Sequence, residues 1–359
     1  MNILKQLIQI PSRSGNEETI QQFILDNCKK HTSDTQRIGE NVLVHIAGSD
    51  NTKALLFNAH VDTVSEGNLN QWDYPPFEGK IVGDTIFGLG ASDEKATVAV
   101  FLELIAYYSE HTPPCDLWFM FVVNEEIDGS GSEEVLEWFS INRQSQYEYL
   151  AGILGEPTGL TEIELGHKAN IFLKATTHGD SGHSSMPDKI KEHAVLKMYD
   201  VHKKLILLSD EWGEKYADTL LGKPSVGMFT TIQAGSSLNK FPDTCTATFD
   251  VRATPKLYDH IQDELKKISN CEWQFAEKPV PYGLTKETEE IVKIAKQVTG
   301  VKIVPSPWSN DMCFFTQKQI PALVFGPGER DVIHKPNEFC YLSKIHKAKE
   351  LYKEIIKRF

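Results

Sequence analysis

The sequence lacks the features that would tie the chain to a membrane, a nucleic acid or an oxidising compartment. Its apolar runs fall short of the ~20 residues of a membrane-spanning helix, and its amphipathic start does not resemble a signal peptide. The net charge of −13 and the absence of a basic run argue against a nucleic-acid or membrane partner. The six cysteines stand singly, without C-x-x-C spacing, so we expect a cytoplasmic protein without a disulfide framework or zinc ribbon.

The length of 359 residues and the order of predicted elements indicate two domains. Strands alternate with helices over residues 1–165 and again over 276–359, which predicts an α/β domain with a doubly wound, mostly parallel sheet. The intervening residues 166–275 read as βαββαβ, with the first helix at 189–208. This order is typical of a ferredoxin-like α+β domain inserted into the first.

Two adjacent acids, Glu125 and Glu126, end an apolar strand predicted at residues 117–123. Like charges at a buried strand end repel and lose hydration, which is costly unless a cation or strong hydrogen bonds compensate. A bound metal ion would resolve this cost. The alternative is a solvated loop that begins one residue early.

Further candidate ligands follow other strands of the same predicted sheet. His60 and Asp62 come after a strand at 54–59, and Glu156 comes after a strand at 150–154. Because such sheets bind ligands at the carboxyl ends of their strands, we expect these side chains to share one site. Mixed histidine and carboxylate ligation suits zinc, with manganese or cobalt as alternatives.

Two divalent metal ions bridged by one carboxylate would use all of the candidate ligands, which are His60, Asp93, Glu126, Glu156 and His334. Two ions ~3.5–4 Å apart would polarise a carbonyl and lower the pKa of a bridging water toward ~7. Glu125, next to a ligand but not itself one, would then act as the general base and pass the proton to the leaving nitrogen.

Five motifs occur in a specific order across nearly the whole chain: His60-Val61-Asp62-Thr63-Val64, Gly88-Leu89-Gly90-Ala91-Ser92-Asp93-Glu94-Lys95, Asn124-Glu125-Glu126, Gly155-Glu156-Pro157-Thr158 and His334-Lys335-Pro336-Asn337-Glu338. In these motifs the chain resembles the M20 family of di-zinc amidohydrolases, which includes acetylornithine deacetylases, succinyl-diaminopimelate desuccinylases and carboxypeptidases. The resemblance implies that Asp93 bridges the metals, with His60 and Glu156 on one ion and Glu126 and His334 on the other. Asp62 would orient His60, and Glu125 would be the base.

The resemblance also makes the inserted domain a lid and dimerisation domain. His183 matches a histidine that, in dimeric relatives, reaches the partner subunit's site and stabilises the oxyanion. Asn239 and Arg252 resemble a pair that grips the substrate's α-carboxylate, for which the fork of an arginine is suited. Gly326 would line the same pocket through its backbone. A homodimer is therefore expected.

Two stretches depart from the family pattern. Asp93-Glu94-Lys95-Ala96-Thr97 stands where the family often has Asp-Met-Lys-Gly-Gly, and Ser309-Asn310-Asp311 stands where some relatives have Gly-Thr-Ser-Asp. Neither departure replaces a predicted ligand, but both could alter the pocket.

Simpler interpretations remain open for some of these residues. Arg252 could form an ion pair with Asp250 or Asp259, and Asp62 could cap a turn. Ser14 with Glu17 resembles a capping box that opens a helix.

The leading hypothesis is a hydrolase of N-acyl amino acids, such as N-acetylornithine or N-succinyl-diaminopimelate, acting in amino-acid biosynthesis. Within the family the alternative is a dipeptidase or carboxypeptidase, whose substrate would be a short peptide. A hypothesis from another class is a non-hydrolytic, metal-binding regulatory protein on the same scaffold. The presence of both Glu125 and Asp93 favours an enzyme.

Overall fold

The structure, a computed structural model, describes residues 2–359. Its strands, in chain order, are β1 (Thr35–Ile38), β2 (Asn41–Ile46), β3 (Asp50–His60), β4 (Lys80–Val82), β5 (Thr85–Phe87), β6 (Cys115–Val122), β7 (Tyr149–Leu154), β8 (Glu162–Glu164), β9 (Gly166–His167), β10 (Ala169–His178), β11 (Gly182–His183), β12 (Ser225–Ala234), β13 (Lys240–Phe241), β14 (Thr244–Ala253), β15 (Glu272–Phe275), β16 (Gly283–Leu284), β17 (Lys302–Val304), β18 (Ala322–Val324) and β19 (Phe339–Tyr341). Its α-helices are α1 (Asn2–Ile8), α2 (Glu18–Cys28), α3 (Lys95–Tyr108), α4 (Ser130–Asn142), α5 (Ala194–Lys215), α6 (Pro255–Leu265), α7 (Glu290–Thr299), α8 (Met312–Gln317) and α9 (Leu342–Arg358).

The chain forms two compact units, each with its own core. Unit 1 contains the chain up to Gly166 together with Gly283–Ser306 and Asn310–Phe359, and unit 2 contains His167–Tyr282 with Pro307–Ser309. The observed return to unit 1, at Gly283, lies later than the predicted boundary at residue 276.

Unit 1 is built on an eight-stranded sheet in the order β1-β2-β6-β3-β7-β18-β8-β17. The central strands β6, β3, β7 and β18 pair in parallel, whereas β1, β2 and the β18–β8 contact are antiparallel. All eight residues of β6 are buried, as is usual for a parallel strand that is covered on both faces. The predicted mostly parallel α/β sheet is therefore confirmed.

The core of unit 1 is dominated by aromatic side chains between this sheet and the helices. Helix α3 is apolar nearly all round and packs against α1, α2, α9 and β3. The ring of Phe101 on α3 lies 5.2 Å from Phe57 of β3 and 5.8 Å from Tyr352 of α9. Burying each such side chain contributes about 1.5–3 kcal/mol, so this cluster fixes the strand ends that carry the site.

Unit 2 is the predicted ferredoxin-like domain. Its antiparallel sheet has the order β12-β14-β10-β15, and its elements follow the chain as β10, α5, β12, β14, α6 and β15. Along β10 buried and half-buried residues alternate, so that Ile171 and Leu173 enter a core shared with Met198 and Trp212 of α5 and Leu257 of α6.

The first helix of unit 2 differs from the prediction of 189–208. Pro187–Lys189 form a 3-10 turn, and α5 begins only after His193, whose Nδ1 accepts from the Leu196 amide at 3.5 Å. The helix then continues to Lys215, because Trp212 is buried and donates to Glu264 at 2.9 Å. Among the described residues, no helix combines the length and apolar character required to cross a bilayer.

Candidate active site

The predicted ligands of unit 1 meet at one edge of its sheet. Strands β6, β3 and β7 are neighbours, with His60 paired to Val122 and Asn58 paired to Leu154. The residues that follow these strand ends therefore lie side by side. Ligand atoms of His60, Asp93 and Glu126 lie within 4.8 Å of one another, and so do those of His60, Glu94 and Glu156.

Asp93 stands between two histidines and contacts each with a different oxygen. Its Oδ1 lies 3.1 Å from His60 Nε2, and its Oδ2 lies 3.2 Å from His334 Nε2. His334 Nε2 is also 3.0 Å from Glu126 Oε1. A carboxylate whose two oxygens serve different nitrogen donors has the arrangement that a bridging ligand needs.

Asp62 connects His60 to the acid pair. Its backbone carbonyl is 3.0 Å and its Oδ1 is 3.5 Å from His60 Nδ1. Its carboxylate also accepts the amides of Glu125 and Glu126, both at 3.2 Å, and the Ser14 hydroxyl at 2.7 Å. The predicted capping box is wrong, because the Ser14 hydroxyl serves Asp62 and α2 has no side-chain cap.

The site contains more buried carboxylates than its cationic side chains can neutralise. Burial and the charge of Glu156 raise the pKa of Glu125 well above its usual range, and burial likewise raises the pKa values of Glu94 and Glu156. Hydrogen bonds to Asp93 and Glu126 raise the pKa of His334 to about 10. Although burial opposes it, hydrogen bonds from His334 and His60 lower the pKa of Asp93.

These residues fit a divalent metal. Zn²⁺ binds both imidazole nitrogens and carboxylate oxygens, and the harder Mn²⁺ favours the carboxylate oxygens. A divalent cation would also offset the repulsion among the buried carboxylates, which otherwise favours their protonation.

Glu338 shapes the loop before Asp93, a role that sequence reasoning missed although Glu338 stood in a recognised motif. It is buried and accepts the amides of Gly90, Ser92 and Asp93 at 3.0, 2.7 and 3.0 Å. Burial raises the pKa of Glu338 to about 7. The three hydrogen bonds fix the backbone at the point where Asp93 enters the site.

Asp311 is a second missed residue, which the sequence showed only as a departure from the family pattern. It is buried, accepts a hydrogen bond from Ser132 of α4, and its charge adds to the raised pKa of Glu125. Burial raises the pKa of Asp311 itself to about 7.

Gly326 packs against the backbone of the loop that carries Glu156. A Cβ at this position would lie 1.8 Å from the Gly155 carbonyl oxygen and 2.5 Å from that of Glu156. Its amide and its carbonyl both bond to the Thr158 hydroxyl, at 3.2 Å. The close approach leaves no room for a Cβ, so position 326 requires glycine for a structural reason, independently of any contact with substrate.

The remaining predicted residues belong to unit 2. His183 is exposed in β11, where its Nδ1 accepts from the Ser185 amide at 3.3 Å and lies 2.8 Å from the Ser185 hydroxyl. The amide of Ser184 donates to the Asn239 carbonyl at 2.9 Å, so His183 and Asn239 lie in one small ribbon, formed by β11 and β13. Arg252 of β14 pairs with Asp250 through Nε and Nη2, at 2.9 and 3.0 Å.

An α/β unit that gathers histidines and carboxylates at its strand ends, in one chain with a ferredoxin-like unit, has the build of a metallopeptidase-type hydrolase. The chain belongs to peptidase family M20/M25/M40, whose model matches residues 56–358. It is accordingly an amidohydrolase, acting on C–N amide bonds.

Named relatives cover the chain from end to end at low identity. An acetylornithine deacetylase of Buchnera aphidicola is 26% identical, over 100% of this chain and 97% of that protein. A succinyl-diaminopimelate desuccinylase of Ehrlichia ruminantium is 24% identical, over 100% and 97%. A dinuclear metal-binding M20 peptidase of Bacillus subtilis superposes with a TM-score of 0.74 at 16% identity, over 99% of this chain and 96% of that one.

Proposed function

We propose that this amidohydrolase releases the acyl group from an N-acyl amino acid, with N-acetylornithine and N-succinyl-diaminopimelate as the first candidates. The observation that carries the chemistry is the Asp93 carboxylate, shared between His60 and His334 beside the Glu125–Glu126 pair. The two relatives that match the chain over its whole length support this substrate class, because each is named as an enzyme that acts on an acylated amino acid.

Two divalent ions, zinc in the first instance and Co²⁺ or Mn²⁺ as alternatives, are proposed for the cluster. Asp93 would be shared, with His60 and Glu156 holding one ion and Glu126 and His334 the other. When bound, such a pair supplies a Lewis acid for the substrate carbonyl and acidifies water.

Glu125 is proposed as the general base. Its amide is held by Asp62 at 3.2 Å, and burial raises the pKa of its carboxyl, which makes the ionised group a stronger base. In its ionised form it would accept a proton from the attacking water and deliver it to the leaving amine nitrogen. Glu126 is not proposed for this task, because its Oε1 contacts His334 Nε2 and would be used to bind the metal ion.

Substrate recognition is proposed for Arg252, Asn239 and Gly326. A guanidinium carries five N–H donors, so the hydrogen bond from Nη2 and the ion-pair contact of Nε that Arg252 makes with Asp250 leave donors for a substrate carboxylate. His183 would donate a hydrogen bond to the oxyanion through its Nε2–H, because its Nδ1 accepts the Ser185 amide at 3.3 Å.

A homodimer is proposed as the assembly in which His183 acts on the partner's site. Helix α5 supports it with a stripe of exposed apolar side chains, namely Leu196, Tyr199, Ile206 and Leu207. Exposed apolar stripes at helical spacing are typical of surfaces that pair with another helix.

The proposal is tested by hydrolysis of a substrate panel with the zinc-loaded protein. The panel contains N-acetylornithine, N-succinyl-diaminopimelate, other N-acyl amino acids and simple dipeptides. Turnover of one acyl amino acid far above the dipeptides is the expected result. Preferential turnover of dipeptides would instead establish a peptidase, the class of enzyme to which the Bacillus subtilis relative belongs. No turnover by protein with two bound metals would contradict the proposed substrates and would favour an unusual substrate outside the panel or a non-hydrolytic role.

A further inference from the structure

Glu94, the residue after Asp93, has an unsatisfied carboxylate oxygen inside the candidate site. The residue is 1% exposed, and its Oε1 accepts from the His60 amide at 2.6 Å. Its Oε2 is buried and, among the residues that the structure describes, has no hydrogen-bond partner. A buried polar atom left without a partner costs about 1–3 kcal/mol, and more when it is charged.

Neighbouring groups do not supply the missing partner. Glu338 is equally buried but accepts three backbone amides, so its burial is compensated. Lys95, next in the chain, donates its Nζ to the carbonyls of Leu7 and Ile10 at 3.2 and 2.9 Å. The nearest ammonium in sequence is therefore engaged with the backbone around α1.

The carboxylate of Glu94 belongs to a group of residues with the geometry of a metal site. Ligand atoms of His60, Glu94 and Glu156 all lie within 4.8 Å of one another, and all three residues are buried. We propose that Glu94 supplies a further oxygen ligand to the ion held by His60 and Glu156, an inference that rests on the metal site of the proposed function.

Glu94 is held in place from both ends. Its carbonyl accepts the amides of Thr97 and Val98 at the first turn of α3, and its side chain is fixed by the amide of His60. A carboxylate held in this way is preorganised to act as a metal ligand, because its side chain loses little conformational freedom when an ion binds.

This ligand makes the two halves of the site chemically unequal. The half with His60 has one imidazole and three carboxylates, those of Asp93, Glu94 and Glu156. The other half has one imidazole and two carboxylates. Carboxylate-rich sites of higher coordination suit Mn²⁺, whereas four-coordinate sites suit Zn²⁺. We therefore expect the half that contains Glu94 to discriminate less against Mn²⁺.

The test is calorimetric titration of the metal-free full-length protein with Mn²⁺ and with Zn²⁺, for wild type, Glu94→Gln and Glu94→Met. Gln keeps a carbonyl for the His60 amide but has no second oxygen, whereas Met removes both functions. In Glu94→Gln one of two Mn²⁺ affinities should fall by about 10- to 100-fold, with a smaller loss for Zn²⁺. Glu103→Gln, which removes a carboxylate on α3 that pairs with Lys349, should change neither affinity.

Unchanged affinities in Glu94→Gln, with a loss only in Glu94→Met, would overturn the inference and leave Glu94 as an anchor for His60. A crystal structure of the Mn²⁺-loaded wild type gives a readout that does not depend on the folding of variants. It should show Glu94 Oε2 bonded to an ion, and an ion bound by His60 and Glu156 without Glu94 would contradict the inference. Wild type that binds no divalent ion would instead contradict the proposed function.

Discussion

The amide of Glu125 donates to the Asp62 carboxylate at 3.2 Å, and this bond joins the turn after β6 to the loop after β3. Asp62 accepts the Glu126 amide through its other oxygen and also lies against the ring of His60. One buried side chain therefore positions a candidate ligand and the candidate base together.

Asp62→Asn should weaken both metal binding and catalysis. An amide can accept only one of the two backbone N–H groups, and its own NH₂ would oppose the other. We expect a loss of about 10- to 100-fold in metal affinity and in kcat/KM. Ser14→Ala, which removes only one donor to Asp62, should lose much less; equal losses in the two variants would argue against the double role of Asp62.

Gly326→Ala should destabilise unit 1. Its Cβ would meet the Gly155 carbonyl at 1.8 Å, so the Glu156 loop must shift, at a cost of about 2–3 kcal/mol. The control is Gly213→Ala in α5, where the nearest atom is Lys223 Cδ at 3.4 Å. In that helix alanine should stabilise by about 0.5–1 kcal/mol. Denaturant unfolding of both variants measures the contrast.

Glu264 should make unit 2 sensitive to acid. Although burial opposes it, hydrogen bonds from Lys267, Tyr216, Lys215 and Trp212 lower the pKa of Glu264 from 4.5 to about 2. A carboxyl whose folded-state pKa is depressed stabilises the fold above its unfolded pKa, and the contribution is lost as pH falls from about 4.5 toward 2.

Glu264→Gln should therefore cost about 2 kcal/mol at pH 7, and its deficit relative to wild type should shrink below pH 4.5. Urea unfolding of both proteins at several pH values measures the difference between their free energies of unfolding. The titrating groups of unit 1 contribute equally to the two proteins, so they cancel from this difference. Glu214→Gln, at an exposed pair with Lys223, should stay within about 0.5 kcal/mol of wild type at every pH. A deficit that does not depend on pH would contradict the assignment.

Mixing two inactive variants tests whether His183 acts across a dimer. His183→Ala should lower kcat by about 10²- to 10³-fold, and Glu125→Gln should also be inactive. After subunit exchange, a mixed dimer contains one site with Glu125 of one chain and His183 of the other, so activity should reappear. No recovery in a preparation that sedimentation shows to contain dimers, or a fully active monomer, would exclude the role in trans.

The sequence allowed a correct prediction of the position of residues that directly follow the ends of parallel strands. His60, Glu125, Glu126 and Glu156 could be placed at one sheet edge, because parallel strands bring their carboxyl ends together. Local patterns gave less reliable predictions where tertiary contacts decide. The Ser14 hydroxyl bonds to Asp62 instead of capping α2, and α5 runs on to Lys215 because Trp212 reaches Glu264.

Side-chain contacts that join distant segments were beyond the sequence. Glu338 is 245 residues from Asp93 along the chain, yet it accepts the Asp93 amide. Glu94 is adjacent to a predicted ligand, but only the fold shows that its carboxylate turns toward His60 and Glu156. No local periodicity distinguishes such residues from ordinary surface acids.

The two adjacent acids are proposed to have different roles, with Glu126 as a metal ligand and Glu125 as the base. The most direct measurement is metal content and turnover of Glu125→Gln and Glu126→Gln side by side, with the substrate that the panel identifies. Glu125→Gln should keep two metal ions per chain and lose about 10²- to 10⁴-fold in kcat, whereas Glu126→Gln should lose metal. Full activity in Glu125→Gln, or loss of its metal, would contradict this division of roles.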